Sequence, residues 1–175
     1  RSICAQVRSG LFFAHVRAST ESAVARVNCH PFVHGKWMFM HNGQIGGHSR
    51  IRRKVEALIP DDLYVRRVGS TDSEAFFLAA LGQGLDDDPV GAIARTIRLV
   101  LDIQKQAGIK EAFRFAACLT DGERLWGFRW SSDPRPPSLY LSDRLDGTIV
   151  VSEPIDDACD SWVEVPKCGF VSMTR

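Results

Sequence analysis

Four short segments carry the residue types that could do chemistry on an amino acid. They are HVRAST at residues 15–20, NCHPF at 28–32, HNG at 41–43 and TDSE at 71–74. In this order they supply a cation at Arg17, hydrogen-bond donors at Asn42 and Gly43, and a carboxylate at Asp72. A zwitterionic ligand needs one cationic and one anionic partner, and a tetrahedral intermediate needs donors for its negative oxygen. The segments therefore indicate an amino-acid site with an oxyanion hole, although they supply no nucleophile.

Each of these residues also has an ordinary structural interpretation. An Asn-Gly pair after a strand, as at Asn42-Gly43, is the dipeptide most typical of a hairpin turn. Asp72 stands at the start of a predicted helix, where the positive end of the helix dipole stabilises a carboxylate. Arg17 ends an apolar run, and such an arginine pairs either with a buried carboxylate or with the carboxylate of a ligand. The residues alone leave these alternatives open.

Other kinds of chemistry find little support in the sequence. Four histidines and a cysteine lie between residues 29 and 48, but their spacing lacks the paired ligands of a structural zinc site, and no HExxH motif occurs. The chain also contains no P-loop, no GxGxxG and no GxSxG motif. We therefore expect neither a metal nor a cofactor, and no serine-based acyl transfer.

The composition is typical of a soluble globular protein. The 175 residues are 45% apolar and 25% charged, and the formal net charge of +1 gives no argument for nucleic acid as a partner. No apolar run approaches the ~20 residues of a membrane span, so we expect no membrane association. Five cysteines without a CxxC pair argue against a disulfide framework and favour a reducing compartment. The cytoplasm is therefore the expected location.

Strands are predicted at both ends of the chain. Apolar runs at residues 11–16 and 37–40 are typical of buried strands. Five strand-like segments lie between residues 113 and 165, the first two joined by an Asp-Gly turn signal, and a last one covers residues 169–173. Because the strands come before and after a helical middle, the order predicts an α+β fold with largely antiparallel sheets covered by helices.

The helical middle is marked by apolar spacing and by capping residues. Apolar residues at helical spacing follow Ser49 and end at Pro60. A TxxE capping box at residues 71–74 predicts a second helix start. Asp88 before Pro89 predicts the start of a long third helix. A solvated helix face is expected from a patch of five arginines: Arg50, Arg52, Arg53, Arg66 and Arg67.

Taken together and in order, the four segments resemble the glutaminase domain of class II glutamine amidotransferases. These are N-terminal-nucleophile hydrolases, and the similarity is greatest to the compact, stand-alone members. A looser similarity continues at VSEP, residues 151–154. The resemblance implies a four-layer αββα sandwich, which agrees with the predicted α+β order. Residues 1–175 would then form a single domain of this type.

The resemblance also implies a role for each candidate residue. Arg17 resembles the arginine that binds the α-carboxylate of glutamine, and Asp72 resembles the acid that binds its α-ammonium. Asn42 and Gly43 are similar to the oxyanion hole of the family. Thr20 and His30 resemble residues that line the substrate pocket.

Two departures from the family pattern affect the expected chemistry. The nucleophile of the family is a cysteine at the processed N-terminus, whose own α-amine serves as general base. Cys4 lies only eleven positions before His15, much closer than that nucleophile. We therefore expect the nucleophile and the first strand to lie in an N-terminal segment that this sequence lacks. Ala18 and Glu21 replace an aromatic residue and a histidine, which bears on the acceptor chemistry and the substrate.

The leading hypothesis is an amidase that releases ammonia from L-glutamine through a cysteinyl thioester. One alternative is a hydrolase of another γ-glutamyl amide that uses the same pocket. A second is a catalytically inactive module that binds glutamine or partners a synthase. Residues 162–175 do not resemble a synthase, so an ammonia-accepting enzyme would be a separate chain. A homodimer is left open.

Cys4 is expected to be dispensable. Protein that begins at Arg1 should release no ammonia from L-glutamine in a coupled assay, and Cys4→Ala should leave that result unchanged. Turnover that disappears in Cys4→Ala would contradict the alignment of the four segments.

Overall fold

The structure, a computed structural model, describes residue 6 and residues 8–16, 25–145, 147–157 and 161–174. Within them the strands are β1 (Phe32–His34), β2 (Trp37–Gln44), β3 (Arg114–Thr120), β4 (Arg124–Ser131), β5 (Tyr140–Arg144), β6 (Gly147–Val151), β7 (Val163–Glu164) and β8 (Gly169–Thr174). The helices are α1 (His48–Glu56), α2 (Asp61–Tyr64), α3 (Asp72–Gly82) and α4 (Pro89–Gln106). None of these helices is long and apolar enough to cross a membrane.

The described strands form two antiparallel sheets. The larger sheet has the order β1-β2-β3-β4-β8, and the smaller has the order β6-β5-β7. At the centre of the larger sheet, β2 pairs with β3 from Met38 opposite Thr120 to Gln44 opposite Arg114. The predicted α+β class with antiparallel pairing is confirmed.

Helices α1, α3 and α4 cover one face of the larger sheet. Side chains alternate along a strand, so Phe39 of β2 and Phe115 of β3 both point toward the helices. Phe39 stacks on Phe77 of α3 with ring centroids 5.3 Å apart, and Phe115 meets Phe76 at 4.9 Å. Residues 73–80 of α3 are all buried, which is typical of a helix enclosed by its neighbours. The N-terminus of α3 is therefore held against the sheet.

The smaller sheet lies against the opposite face of the larger one. Gly127 of β4 marks a close approach, because a Cβ atom there would lie 3.4 Å from both Leu139 and Val150. Met40 and Cys118, on this face of the larger sheet, line a space that Val150 closes from the other side. The described residues thus form three consecutive layers of the predicted αββα sandwich: helices, larger sheet and smaller sheet.

Two predicted helix starts are confirmed by their caps. The Thr71 hydroxyl accepts a hydrogen bond from the Glu74 N–H at 3.1 Å. The Asp88 carboxylate accepts one from the Gly91 N–H at 2.9 Å, with Pro89 at the first position of α4. Such caps satisfy backbone donors that have no partner inside the helix. Both depend on residues three apart, which is why the sequence pattern predicts them well.

The strand predicted at residues 11–16 is wrong. These residues have no regular secondary structure, and Phe12 and Val16 are 72% and 99% exposed. A strand needs a neighbouring strand to pair with its backbone N–H and C=O groups. None of the described strands pairs with this segment, so its apolar composition does not produce a strand.

The arginines predicted to form a solvated face are not all solvated. The Arg67 side chain is only 5% exposed, and its guanidinium lies 2.8 Å from the Glu56 carboxylate and 3.7 Å from that of Glu74. Glu74 in turn accepts hydrogen bonds from the N–H groups of Val68 and Gly69 at 3.0 and 2.8 Å. This Arg67 cluster (Arg67, Glu56 and Glu74) fixes the loop that leads into α3.

Arg67→Met is expected to lower the free energy of unfolding by about 3–5 kcal/mol, because it leaves the buried Glu74 carboxylate without a cation and leaves Glu56 with Arg52 alone. Urea unfolding followed by circular dichroism measures the loss. Arg95→Met is the matched control, since Arg95 pairs with Asp88 at an exposed position and such a pair contributes little to stability. Equal losses in the two variants would contradict the importance of the Arg67 cluster.

Candidate active site

A cavity of about 570 Å³ opens where β2 ends and where α1 and α3 begin. Four of the six candidate residues line this site cavity: His30, Asn42, Gly43 and Asp72. The predicted oxyanion donors and the predicted ammonium acceptor, which come from different segments of the sequence, therefore share one cavity. The other two candidates, Arg17 and Thr20, lie outside the described residues.

Asn42 and Gly43 belong to a continuous strand. Asn42 lies opposite Ala116 and Gly43 lies opposite Phe115 in the β2–β3 ladder. The hairpin-turn interpretation of this Asn-Gly pair is therefore wrong. Gly43 has a φ of +148°, and a Cβ atom there would overlap the carbonyl oxygen of Arg114. Glycine is required at this position because no other residue leaves that space free.

Asp72 joins the start of α3 to the backbone that leaves β2. Its Oδ2 accepts a hydrogen bond from the Ile45 N–H at 2.8 Å, and its Oδ1 accepts one from the Ser73 N–H at 2.8 Å. The Ser73 hydroxyl lies 3.4 Å from the same Oδ1. An ionised carboxylate has about four acceptor positions, so these bonds leave capacity on a carboxylate that lines the cavity. Asp72 thus has a structural role and can also bind a ligand.

Asn28 connects the NCHPF segment to the loop before α3. Its side chain is almost fully buried, and its Oδ1 accepts a hydrogen bond from the Ser70 N–H at 2.8 Å. Its Nδ2 donates to the Ser70 hydroxyl at 3.3 Å. Because Ser70 lines the site cavity, Asn28 holds the cavity wall next to Asp72 in place.

His30 lies in a small group of rings at one wall of the site cavity. Its imidazole stacks on that of His15 with centroids 4.2 Å apart, and it meets the edge of Phe32 at 4.7 Å. Both histidines line the cavity. In the described part of the chain, no three histidine, cysteine or acidic side chains are grouped as a metal site would need.

Asp72 is the uncompensated charge in the described part of the cavity. The two arginines that line it there are already paired, Arg50 with Glu111 and Arg52 with Glu56. No described lysine or arginine pairs with Asp72. Burial lowers the pKa of His48 although the Asp72 carboxylate opposes this shift, so the imidazole is uncharged at neutral pH. A cationic group of a ligand would find its counter-charge at Asp72.

Comparison with known proteins identifies the family. The family model described as class II glutamine amidotransferases matches residues 3–136. A glutamine aminotransferase class-II domain protein from Silicibacter pomeroyi, whose structure is solved, is 38% identical with a TM-score of 0.81. The match covers 86% of this chain and 68% of that one. This chain belongs to the class II glutamine amidotransferases.

More distant relatives agree with this family. The probable glutamine amidotransferase DUG3 of Saccharomyces cerevisiae is 33% identical over 99% of this chain. The γ-glutamyl-hercynylcysteine sulfoxide hydrolase of Mycobacterium tuberculosis is 27% identical over the same share. The chain spans 60% and 63% of the lengths of these two relatives. The structure of glutamine phosphoribosylpyrophosphate amidotransferase of B. subtilis shares the fold with a TM-score of 0.56, although the sequence identity is only 16%. This match covers 91% of the present chain and 34% of the B. subtilis chain. The predicted family and the predicted fold are confirmed.

The described cysteines, Cys29, Cys118 and Cys168, do not line the site cavity. Cys29 and Cys168 are exposed elsewhere. Cys118 is buried, and burial raises the pKa of its thiol to about 12. Because the thiolate is the nucleophilic form of cysteine, Cys118 is unsuited to attack an amide at neutral pH. Cys4 and Cys159 lie outside the described residues.

Sequence reasoning missed the residues that hold the candidate side chains in place. In the sequence, His41 stands out only as one of four histidines that could bind a metal, whereas in the structure its imidazole lies 2.9 Å from the Ser73 hydroxyl. Asn28 received no role. The available signal for His41 was its place two residues after Phe39 in an apolar strand, which predicts a buried imidazole that needs hydrogen-bond partners. The partners themselves are too far away in the sequence to be inferred.

Cys118 is expected to resist alkylation in the native protein, since its thiol is both buried and protonated. Brief treatment with iodoacetamide at pH 8, followed by peptide mass spectrometry, should find Cys29 and Cys168 modified and Cys118 unmodified. Urea should make Cys118 reactive. Native labelling of Cys118 as fast as that of Cys29 would show that the thiol is accessible.

Proposed function

We propose that this chain carries the substrate-binding and oxyanion-binding groups of an amidase that hydrolyses the side-chain amide of L-glutamine. The observation that carries the proposal is the meeting of Asn42, Gly43 and Asp72 in one cavity of a class II glutamine amidotransferase. The carboxylate there lacks a cationic partner among the described residues, and Asn42 and Gly43 in the same cavity can donate hydrogen bonds. A glutamine molecule has an α-ammonium group that can pair with this carboxylate and an amide group that can accept from these donors.

The amino-acid head would bind between two opposite charges. The α-ammonium group would donate hydrogen bonds to Asp72, which retains acceptor capacity beside its bonds from Ile45 and Ser73. The α-carboxylate would pair with the guanidinium of Arg17. Thr20 and His30 would line the pocket around the side chain. Two charged anchors fix the orientation of the substrate, which places its amide at the Asn42-Gly43 end.

The chemical step would be attack of a cysteine thiolate on the γ-amide carbon. As the C–S bond forms, the carbonyl oxygen becomes an oxyanion that the Asn42 side-chain amide and the Gly43 N–H stabilise. Collapse of this intermediate breaks the C–N bond, and the amide nitrogen takes up a proton and leaves as ammonia. Water then hydrolyses the thioester to glutamate and regenerates the thiol. The proposal assigns the thiol to a cysteine outside the described residues.

A second candidate function is hydrolysis of a different γ-glutamyl amide. The name of the mycobacterial relative, a γ-glutamyl-hercynylcysteine sulfoxide hydrolase, favours this candidate. Arg17 and Asp72 would bind the γ-glutamyl head in the same way, and only the leaving amine would differ. In the glutamine case the ammonia would pass to a separate accepting enzyme, and an inactive glutamine-binding module is the remaining alternative.

A substrate panel tests these functions. The full-length protein is incubated with L-glutamine, with γ-glutamyl anilide and with γ-glutamyl dipeptides, and released glutamate is measured with glutamate dehydrogenase. Fastest turnover of glutamine supports the proposal, and fastest turnover of the other amides supports the second candidate. Binding of glutamine by calorimetry without any turnover would identify an inactive module.

Asp72→Asn and Arg17→Met are each expected to raise the KM for the preferred substrate roughly 10- to 100-fold, because each removes a charge-assisted hydrogen bond to the amino-acid head. Asn42→Ala should instead lower kcat by roughly 100- to 1000-fold with a smaller effect on KM. Steady-state kinetics of the full-length variants measures both constants.

Arg50→Met is the matched control for Arg17→Met. Arg50 also lines the site cavity, but it is paired with Glu111 and is not assigned to the substrate. Its replacement should change KM by less than about threefold, as expected for an exposed ion pair. A larger effect from Arg50→Met than from Arg17→Met would contradict the assignment of the carboxylate anchor.

A further inference from the structure

We propose that His41 is a positioning residue that holds the Asn42-Gly43 end of β2 and the Asp72 end of α3 in a fixed relation, with Ser73 as the link. The inference rests on the proposed function, since it gives His41 a role in aligning the oxyanion donors with the ammonium acceptor. His41 itself would touch neither the substrate nor the reacting atoms.

The imidazole of His41 joins three elements of the fold. It belongs to β2 and is only 4% exposed. Its Nδ1 lies 2.9 Å from the Ser73 hydroxyl of α3, and its Nε2 lies 3.2 Å from the carbonyl oxygen of Arg114 in β3. The ring also packs against Phe115, with centroids 5.0 Å apart. Because of these contacts, the ring cannot move without also moving β2 or the start of α3.

The hydrogen-bond partners determine where the proton of His41 resides. A carbonyl oxygen only accepts, so the Nε2 that faces Arg114 must carry a proton. Burial lowers the pKa of His41, opposed by the Asp72 charge, so the ring is neutral at pH 7. The Nδ1 atom is then an acceptor, and the Ser73 hydroxyl donates to it. The Ser73 hydroxyl proton is thus directed to His41 at 2.9 Å and not to Oδ1 of Asp72 at 3.4 Å, which leaves that carboxylate more capacity to accept from a ligand.

The other end of the ring supports the oxyanion donors. A Cβ atom at Gly43 would lie 2.7 Å from the His41 Nε2 and would overlap the same Arg114 carbonyl to which that nitrogen donates. The imidazole therefore fills the space directly beside the Gly43 backbone. A shift of the ring would move Gly43 and, with it, the neighbouring Asn42.

Two conservative variants separate the two hydrogen bonds of His41. In His41→Asn the side-chain amide oxygen takes the position of Nδ1 and can still accept a hydrogen bond from the Ser73 hydroxyl. The shorter side chain cannot reach the Arg114 carbonyl oxygen. In His41→Gln the amide nitrogen replaces Nε2 and still donates to the Arg114 carbonyl, but the link to Ser73 is lost. We expect His41→Gln to act mainly on KM, through Asp72, and His41→Asn to act mainly on kcat, through Asn42 and Gly43.

The kinetic test uses the full-length protein and compares these variants with His41→Leu and with a structural control. His41→Gln should raise KM about tenfold with kcat within threefold of wild type, and His41→Asn should lower kcat about tenfold with KM within threefold. His41→Leu should show both defects. Thr120→Val is the control, because it removes a buried hydrogen bond to the Arg124 carbonyl at the far end of β3. It should lower the melting temperature and leave both constants unchanged.

A purely structural role for His41 predicts a different result. All three variants would then lower the melting temperature as Thr120→Val does, while kcat and KM of the folded fraction would stay within twofold of wild type. That outcome would overturn the proposal, and so would identical kinetic defects in His41→Asn and His41→Gln.

Nuclear magnetic resonance provides a readout that does not require turnover. The ¹⁵N shifts of the His41 ring should indicate a neutral imidazole protonated at Nε2. In Ser73→Ala the amide resonances of Asn42 and Gly43 should shift, although Ser73 lies on a different element. An Nδ1-protonated ring, or unchanged Asn42 and Gly43 resonances in Ser73→Ala, would overturn the inference. Absence of turnover by the full-length wild-type protein would contradict the proposed function and leave this inference to be decided by the resonances.

Discussion

The site cavity depends on the hydrogen bond that Asp72 accepts from the Ile45 N–H at 2.8 Å. This bond joins the first residue of α3 to the backbone two positions after Gly43. Because the acceptor is ionised and lies at a helix N-terminus, the bond is stronger than one between neutral groups, and the helix dipole favours the same charge. The distance between the carboxylate and the Asn42-Gly43 pair is therefore set by main-chain atoms. Side-chain packing around Asp72 and the Asn42-Gly43 pair then makes only small changes to this distance.

Rigid elements surround this bond on both sides. The β2–β3 ladder continues past Gly43 to Gln44, so the Asn-Gly pair is held by a central strand and not by a mobile turn. On the other side, Arg67 and Glu74 fix the loop before α3 by an ion pair and by two bonds to backbone N–H groups. Removing one partner of such a buried cluster leaves an uncompensated charge, so the paired charges hold the loop in this one arrangement. Groups that bind one ligand together must be held to within a fraction of an ångström, and the ladder and the Arg67 cluster provide such rigid support.

The sequence predicts those parts of this arrangement that are decided locally. The caps at Thr71 and Asp88 involve residues three positions apart, and the apolar run at residues 37–40 of β2 is visible in its own residues. The wrong predictions all concern partners distant in the chain. Asn-Gly is a turn in most hairpins, but here β3, some 70 residues later, keeps the pair in a strand. Arg67 looks like a surface residue until Glu56 and Glu74 come beside it. The links from His41 to Ser73 and Arg114 are equally nonlocal.

The environment of Asp72 differs from that of Asp133 in a way that favours a cationic ligand. Asp133 also accepts backbone and hydroxyl hydrogen bonds, but the Arg114 guanidinium lies 2.7 Å away, and this bond holds the pKa of Asp133 far below its usual range. Its charge is neutralised within the protein. Asp72 has the backbone bonds without a described cation, and the nearby His48 is kept neutral by burial. A half-buried carboxylate without a counter-ion is costly unless something else supplies one. The α-ammonium group of an amino acid would supply that charge from the cavity side.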